Sequence, residues 1–272
     1  MAEIRVLAHH AHVFPAEKRP GATVEKLLEF LEEIGAEGAV CFAPTQQDSY
    51  SELDSRENSN DWLAKRIADK PNLYGFGRLN FEQDDLKDQV RHIASLGFKG
   101  IKIHPATQNV PVLSVKARQV YAEAERLGLM LTFHTGVHHH PIEDYHPLLF
   151  DRLNWDYPEL KFSMEHIGGF HFFRDALAVL QNGKHGFAGW TSIDTPKRAG
   201  ACEYQSAWCL TDAELMTSIA QIGVGRQIYG LDFPFKSAEY NKNLIARIKA
   251  LPIADDDKAA ILGGNLRGIL GI

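Results

Sequence analysis

The amino-acid sequence predicts a single (β/α)8 barrel domain over residues 1–272, and three observations support this fold class. Short apolar runs typical of strands alternate with longer stretches of helical periodicity, as in parallel sheets built from βαβ units. Eight such units fit in the chain, and eight strands close a barrel of about 250 residues. No linker or low-complexity segment interrupts the pattern, so one domain is expected.

The elements follow from the apolar spacing and from helix-capping residues. The runs interpreted as strands begin near Ile4, Glu37, Leu73, Lys99, Leu129, Leu160, Gly186 and Gln227. Between the first two, apolar residues recur on one helical face from Val24, with Thr23 as the N-cap. Residues 114–128 repeat this design, and Thr211 with Glu214 predicts a capping box at a later helix.

The alternative fold is an open, doubly wound sheet, but the motifs that accompany it are missing. No G-x-G-x-x-G follows the first strand, and the chain has neither a Walker phosphate loop nor a G-x-S-x-G elbow. Two connections, residues 44–60 and 192–210, are longer than the rest and follow predicted strand C-termini. Barrel enzymes carry their active sites at that end, so both loops are expected there.

Composition excludes several classes of partner. The net charge of −6 gives no reason to expect a nucleic-acid partner, and no apolar run approaches the length of a membrane span. The three cysteines are an odd number without a C-x-x-C motif, which predicts free thiols and a cytoplasmic location. A homo-oligomer is compatible with the sequence.

Histidine is the unusual residue type, with 13 in the chain, and His10-Ala11-His12 ends the first predicted strand. Side chains two positions apart on a strand point to the same face, so these imidazoles can chelate one cation. The alternative interpretation is a pair of hydrogen-bonded surface histidines, because an isolated H-x-H motif is weak evidence.

Three further polar residues end other predicted strands. His134 ends the fifth, His166 the sixth and Asp232 the eighth. Such residues converge at the mouth of a barrel, where buried polar groups need a shared partner. A divalent cation is such a partner, and imidazoles with a carboxylate suit Zn²⁺, with Mn²⁺ as the alternative.

Several motifs, in order, resemble those of the amidohydrolase superfamily. The segments are HHAHVF, GFKGIKIHP, LTFHTG, EHIGG, YGLDFPF and the terminal ILGGNLRGILGI. The chain is most similar to the amidohydrolase-related branch, the amidohydrolase 2 family of metal-dependent TIM-barrel hydrolases, which also includes decarboxylases and lactonases. The resemblance extends over nearly the whole chain.

The resemblance implies roles for individual residues. The implied metal ligands are His10, His12, His134 and Asp232. His166 is implied as the catalytic histidine that orients or deprotonates the water, and Asp232 is implied as a proton shuttle as well as a ligand.

The chain departs from the family pattern at Ala8, where the family often has an aspartate two residues before the first histidine. The sequence therefore does not identify the carboxylate that would orient the first-strand histidine ligands. His9 is not expected to replace that carboxylate, because neighbouring residues on a strand face opposite ways.

Substrate-binding residues are expected at the fourth and third strands. Lys102 and His104 share one face of the fourth strand, and Arg78 ends the third. An arginine fork suits a substrate carboxylate. For Lys102, contact with substrate and pairing with a neighbouring carboxylate are equally open.

The sequence therefore predicts an enzyme that uses a metal-activated water on a small amide, ester or lactone. The alternative on the same site is a non-oxidative decarboxylase of an unsaturated or aromatic carboxylic acid. A non-enzymic barrel that retains the ligands is the third hypothesis. The expected partner is a small molecule that bears a carboxylate.

Overall fold

The computed structural model describes residues 4–47, 49–54, 56–195 and 208–272. The strands are β1 (Val6–His12), β2 (Ala36–Phe42), β3 (Leu73–Gly77), β4 (Gly100–Ile103), β5 (Met130–His134), β6 (Phe162–Glu165), β7 (Gly186–Trp190), β8 (Asp194–Thr195), β9 (Trp208–Cys209) and β10 (Gln227–Phe233). Eight of them form a closed barrel in the order β1-β10-β7-β6-β5-β4-β3-β2, and β8 pairs with β9 in a separate antiparallel ladder. All barrel pairs given by the register are parallel, so the predicted (β/α)8 fold class is confirmed.

Helices separate the barrel strands along the chain. They are α1 (Val24–Ile34), α2 (Ser59–Ile67), α3 (Leu86–Ser95), α4 (Val115–Leu127), α5 (Asp151–Asp156), α6 (Gly169–Asn182), α7 (Asp212–Ile222), α8 (Ala238–Ala250), α9 (Asp255–Ala259) and α10 (Asn265–Leu270). One of the helices α1 to α8 follows each barrel strand, which is the alternation that the apolar pattern predicts.

Capping side chains set the helix ends where the sequence predicts them. The Thr23 hydroxyl accepts a hydrogen bond from the Lys26 amide at the start of α1. Ser114 caps α4, and Gly128 ends that helix in the left-handed conformation, which glycine adopts without a steric penalty. The capping box at Thr211 is present at the start of α7. Local chemistry therefore determines these boundaries.

The apolar core has two parts. The larger part lies between the strands and the surrounding helices and includes the buried Cys41. The smaller part fills the barrel interior and consists of Leu7, Val40, Phe42, Phe76, Met130 and Ile228, together with Leu266 and Leu270 of α10. Helix α10 therefore packs its leucines against the interior apolar layer, and the polar residues lie at the C-terminal ends of the strands.

Both long connections contribute residues at that C-terminal end. In the 44–60 connection, the Thr45 hydroxyl accepts a hydrogen bond from Arg78, the residue after β3. In the 192–210 connection, the Ser192 hydroxyl donates to Asp232 on β10. Residues 196–207 of this second connection lie outside the described residues.

No helix in the described ranges is both long enough and apolar enough to cross a bilayer.

Candidate active site

Three of the four predicted metal ligands meet at the C-terminal mouth of the barrel. One donor atom each from His10, His12 and Asp232 lies within 4.8 Å of the other two. His10 Nε2 is 3.6 Å from Asp232 Oδ1, and the imidazole rings of His10 and His12 have centroids 5.1 Å apart. Residues on β1 and β10 come together because these two strands are neighbours in the closed barrel.

His134, the fourth predicted ligand, lies beside this group and contacts it through His166. His166 Nδ1 is 2.7 Å from the carbonyl oxygen of Thr191, so this nitrogen carries the proton and donates. His166 Nε2 then accepts from His134 Nδ1 at 3.0 Å. In this arrangement His134 Nε2 keeps its lone pair, and no group in the described part of the chain forms a hydrogen bond with that buried atom.

Burial keeps these imidazoles neutral. Burial, followed by the charge of Lys102, lowers the pKa of His10 to about 3. Burial is also the main cause that lowers the pKa of His12, His134 and His166. A neutral imidazole is the form that binds a metal, so the mouth is prepared for coordination at neutral pH.

Glu165 is a site residue that the sequence analysis did not identify. It is fully buried at the end of β6, and Oε2 accepts from His10 Nδ1 at 2.9 Å and from the Thr191 hydroxyl at 2.6 Å. The Ser163 hydroxyl donates to Oε1 at 2.6 Å. Because His10 Nδ1 donates to this carboxylate, His10 Nε2 is left unprotonated and faces the mouth. The signal was the carboxylate that ends an apolar strand, directly before His166 in EHIGG.

Two glycines make room for the Glu165 carboxylate and for the Thr191 hydroxyl that donates to it. A Cβ atom at Gly189 would lie 2.4 Å from Glu165 Oε2, and one at Gly230 would lie 2.0 Å from the Thr191 hydroxyl oxygen.

Burial alone would raise the pKa of Glu165, but the charge of His9 and the hydrogen bond from His10 outweigh it and hold that pKa well below its usual value. The carboxylate is therefore ionised.

The expectation that His9 faces away from the site is wrong. His10 has φ +68°, in the left-handed region, and the register between β1 and its neighbours shifts there. This bulge interrupts the alternation of side chains, so His9 and His10 both point to Glu165. His9 Nδ1 lies 3.2 Å from Glu165 Oε1. Glu165 therefore supplies the carboxylate support that Ala8 lacks.

Left-handed backbone is concentrated at this site. Among the described residues, six non-glycine positions have positive φ, and all but Asn109 belong to the site or flank it: His10, His166, Ile167, Ser192 and Asp232. Such conformations cost about 1–3 kcal/mol each and persist where the surrounding structure holds them, most often at functional sites. The strain is independent support for a site at this end of the barrel.

Lys102 lies beside His10 rather than beside a carboxylate. Its Nζ is 3.3 Å from His10 Nε2 and lies over the Phe42 ring, 5.3 Å from the centroid. It forms no ion pair with any described carboxylate, so the interpretation as a carboxylate-paired lysine does not apply. Burial lowers the pKa of Lys102 to about 7, although the charges of Glu165 and Asp232 oppose this shift.

His104 packs flat against His134. The two rings have centroids 4.0 Å apart and an interplanar angle of 9°. His104 Nδ1 accepts from the Thr107 amide, which leaves its Nε2 as the donor. His138, from the loop after β5, meets His104 edge-on at 4.7 Å. These contacts place a wall of imidazoles on one side of the mouth.

Arg78 is buried with most of its guanidinium unpaired. Nη2 donates to the Thr45 hydroxyl at 2.7 Å, whereas Nε and Nη1 have no hydrogen-bond partner among the described residues. Burial lowers the pKa of Arg78, while the charge of Glu52 opposes the shift. The guanidinium also acts on the metal site, because its charge contributes, after burial, to the low pKa of His12.

Comparison with solved structures supports the fold assignment. An uncharacterised TIM-barrel protein from Bordetella bronchiseptica has a TM-score of 0.76 and 17% identity, over 98% of each chain. A proposed 2-pyrone-4,6-dicarboxylic acid hydrolase from Pseudomonas putida has a TM-score of 0.69 and 17% identity, over 99% of this chain and 98% of that one. A dihydroxybenzoic acid decarboxylase from a Polaromonas species, solved with bound manganese and the inhibitor 2-nitroresorcinol, has a TM-score of 0.71 and 15% identity, over 99% and 97%.

No curated protein matches the chain significantly. The amidohydrolase 2 family model, described as amidohydrolase, matches residues 8–272, and the chain therefore belongs to this amidohydrolase family.

Proposed function

We propose that this protein is a metal-dependent hydrolase that acts on a small amide, ester or lactone. The observation that carries the proposal is the approach of His10, His12 and Asp232 to within 4.8 Å at the barrel mouth. With His134 as the proposed fourth ligand, the set contains three imidazoles and one carboxylate, which suits a catalytic zinc site. Membership of the amidohydrolase family supports the same conclusion.

The residues present fit a divalent cation. His10 Nε2 carries a lone pair, because its other ring nitrogen donates to Glu165, and it lies 3.6 Å from Asp232 Oδ1 and 3.3 Å from Lys102 Nζ. His134 Nε2 is a buried nitrogen with no hydrogen-bond partner within the described ranges, and a cation would satisfy it. Zn²⁺ is the proposed ion and Mn²⁺ the alternative. When bound, the cation would lower the pKa of a water molecule and polarise a substrate carbonyl.

Two residues are proposed to move protons. His166 takes up a proton at Nε2 in place of the hydrogen bond that this atom accepts from His134 Nδ1, because its Nδ1–H is engaged by the Thr191 carbonyl oxygen. Asp232 Oδ2 accepts a hydrogen bond from the Ser192 hydroxyl, so Oδ1, the oxygen near His10, is the one proposed to carry a proton to the leaving group. His166 is thus the proposed general base and Asp232 the proposed shuttle.

Three cationic or imidazole side chains are proposed to bind the substrate: Arg78, Lys102 and His104. Lys102 is buried with its pKa lowered to about 7, whereas Arg78 is a buried guanidinium that forms no ion pair with any described carboxylate. A buried cation without a counter-ion is costly, and a substrate carboxylate would relieve that cost. The proposed substrate is therefore a small molecule with a carboxylate.

The same observation favours the second candidate, a non-oxidative decarboxylase of an unsaturated or aromatic carboxylic acid. Such a reaction also requires the substrate carboxylate to be held close to the metal residues. The two activities use the same proposed residues and differ in the product that is released.

Metal analysis followed by a substrate screen tests the proposal. We expect about one divalent ion per chain in the wild type. His12→Ala should lose most of it. A matched control is His92→Ala, which removes an imidazole that contacts Asp61 away from the mouth and should keep the metal. Equal metal content in all three proteins would overturn the ligand assignment.

The screen should contain lactones, amides, esters and unsaturated or aromatic acids, with CO2 measured in parallel. Hydrolysis that depends on His12 supports the first candidate. Release of CO2 without hydrolysis of any class would replace it with the second.

A further inference from the structure

Four fully buried polar side chains form a network inside the barrel: His9, Thr132, Ser163 and Glu165. They come from β1, β5 and β6, and Thr132 is paired with Ser163 in the register between the last two strands. The function proposed above gives His9 no role, although its side chain lies between the other three. We call these four residues the interior network.

The two hydroxyl groups decide the direction of each hydrogen bond in the interior network. A hydroxyl has one hydrogen, and that of Ser163 is given to the ionised Glu165 Oε1 at 2.6 Å. Thr132 Oγ1 lies 3.3 Å from Ser163 Oγ, so the Thr132 hydrogen points to Ser163. Thr132 Oγ1 is then an acceptor towards His9 Nε2, which is 3.3 Å away. His9 Nε2 therefore carries a hydrogen.

The other ring nitrogen of His9 faces the carboxylate. Nδ1 is 3.2 Å from Glu165 Oε1, and a lone pair at that distance would repel the negative charge. Nδ1 therefore also carries a hydrogen, which makes the ring an imidazolium. The angle at Nδ1 does not meet that of a hydrogen bond, so the contact is an ion pair.

The surroundings of His9 make this ion pair the counterpart of its charge. The ring packs nearly perpendicular to Phe42 and Phe76 of the interior apolar layer, with centroids 5.6 and 5.5 Å apart. In the described ranges, Glu165 is the carboxylate that pairs with His9. A buried charge is costly without a partner, so each residue of this pair stabilises the ionised form of the other.

The ion pair also fixes which oxygen of Glu165 serves His10. Oε1 is engaged by His9 and Ser163, so Oε2 is the oxygen that accepts from His10 Nδ1. The Thr135 hydroxyl holds the backbone in place, since it donates to the Glu165 carbonyl oxygen at 2.6 Å. Rotation of the carboxylate away from His10 would separate the buried charges.

We propose that His9 is a positioning residue of the metal site, an imidazolium that holds the Glu165 carboxylate on His10 Nδ1 and so leaves His10 Nε2 for the metal. This inference rests on the proposed function for the ion that His10 would bind. The arrangement of protons and charges itself exists without the metal.

Nitrogen-15 NMR of metal-free protein labelled at histidine tests the arrangement at neutral pH. We expect both ring nitrogens of His9 to carry a hydrogen, and the His9 signals are identified by their loss in His9→Leu. In that variant the His10 Nδ1–H signal should shift or exchange faster with water, because the carboxylate is no longer held. An unprotonated nitrogen in the His9 ring, or a His10 signal that is unchanged in His9→Leu, would overturn the proposal.

Thr132→Val tests the assigned directions and leaves both charges in place. It removes the acceptor of the His9 Nε2–H group with little change in shape, so the His9 Nε2 signal should move. Thr217→Val makes the same change at an exposed hydroxyl on α7 and should leave that signal in place. A His9 Nε2 signal that is the same in Thr132→Val and in the wild type would contradict the network.

Zinc affinity, measured by competition with a chromophoric chelator, tests the role of His9. His9→Leu should raise the Zn²⁺ dissociation constant about 10- to 100-fold. His185→Leu is the matched control, because it makes the same change at a histidine that precedes β7 and lies beside Glu159. It should bind zinc as the wild type does.

A double-mutant cycle shows whether His9 acts through Glu165. In a Glu165→Gln background, His9→Leu should change the zinc dissociation constant by less than about threefold, because the carboxylate that it holds is already absent. An undiminished effect in that background, or no effect in the wild type, would overturn the proposal. A wild type that binds no zinc would refute the proposed function, whereas the ring signals of the metal-free protein separately decide the proton arrangement.

Discussion

Replacement of Glu165 by glutamine tests whether this buried carboxylate supports the metal site. In the native protein the carboxylate accepts hydrogen bonds from His10 Nδ1 at 2.9 Å and from the Ser163 and Thr191 hydroxyls, each at 2.6 Å. Glutamine has nearly the same shape and can keep one oxygen against His10. The substitution therefore removes the negative charge with little change in packing.

The expected effect is a weaker metal site in a folded protein. A hydrogen bond to a charged partner contributes about 1.5–3 kcal/mol, against about 1 kcal/mol for a neutral one, so the hydrogen bond of His10 is weakened by roughly 0.5–2 kcal/mol. Loss of such support around metal-binding histidines commonly weakens affinity about 10- to 100-fold. We expect the Zn²⁺ dissociation constant of Glu165→Gln to rise by that factor.

Competition with a chromophoric zinc chelator at neutral pH measures the dissociation constant, and circular dichroism checks the fold. Glu159→Gln is the matched control, because it makes the same change in charge at a side chain that is 80% exposed. The control should bind zinc as the wild type does. A Glu165→Gln protein whose zinc affinity stays within about threefold of the wild type would refute the role assigned to this carboxylate.

Three further predictions concern other parts of the molecule. His166→Asn should keep its metal but lose a factor of about 10²–10⁴ in turnover, whereas His134→Asn should lose both metal and turnover. Metal analysis and metal-saturated assays on the substrate identified by the screen measure these effects. The opposite pattern would show that the two residues have exchanged roles. Glu123→Gln should reduce the free energy of unfolding by about 1 kcal/mol at pH 7 and by less at pH 3. Hydrogen bonds from its arginine partners, that from Arg126 first, lower the pKa of Glu123 from 4.5 to about 2. The stabilisation by Glu123 is therefore present above pH 4.5 and is lost as the pH falls towards 2. An equal difference in the free energy of unfolding between wild type and variant at both pH values, measured by urea denaturation, would contradict this. Leu266→Ala, which removes a leucine that packs against the barrel interior, should cost about 2–5 kcal/mol in chemical denaturation, and a loss below about 1 kcal/mol would show that α10 does not stabilise the barrel.

Several features of the fold could be predicted from the sequence because they depend on local patterns. Alternating apolar runs and helical periodicity located eight strands and their helices, and capping residues such as Thr23 and Thr211 marked helix starts. The strand C-termini of a barrel lie at one end, so polar residues that end apolar runs were expected to converge. For His10, His12 and Asp232, the structure brings donor atoms to within 4.8 Å.

The contacts that organise the site depend on residues far apart in the chain and on backbone conformations that sequence periodicity does not reveal. Glu165 meets His10 across 155 residues, and no local pattern distinguishes this glutamate from any other that ends a strand. The left-handed conformation of His10 brings its side chain to the same side as that of His9, because one residue with positive φ interrupts the alternation of a strand. The unpaired nitrogens of Arg78 likewise follow from which groups surround it after folding. Periodicity records which face of an element is buried, whereas the partners of a buried polar group are known only once the barrel has closed.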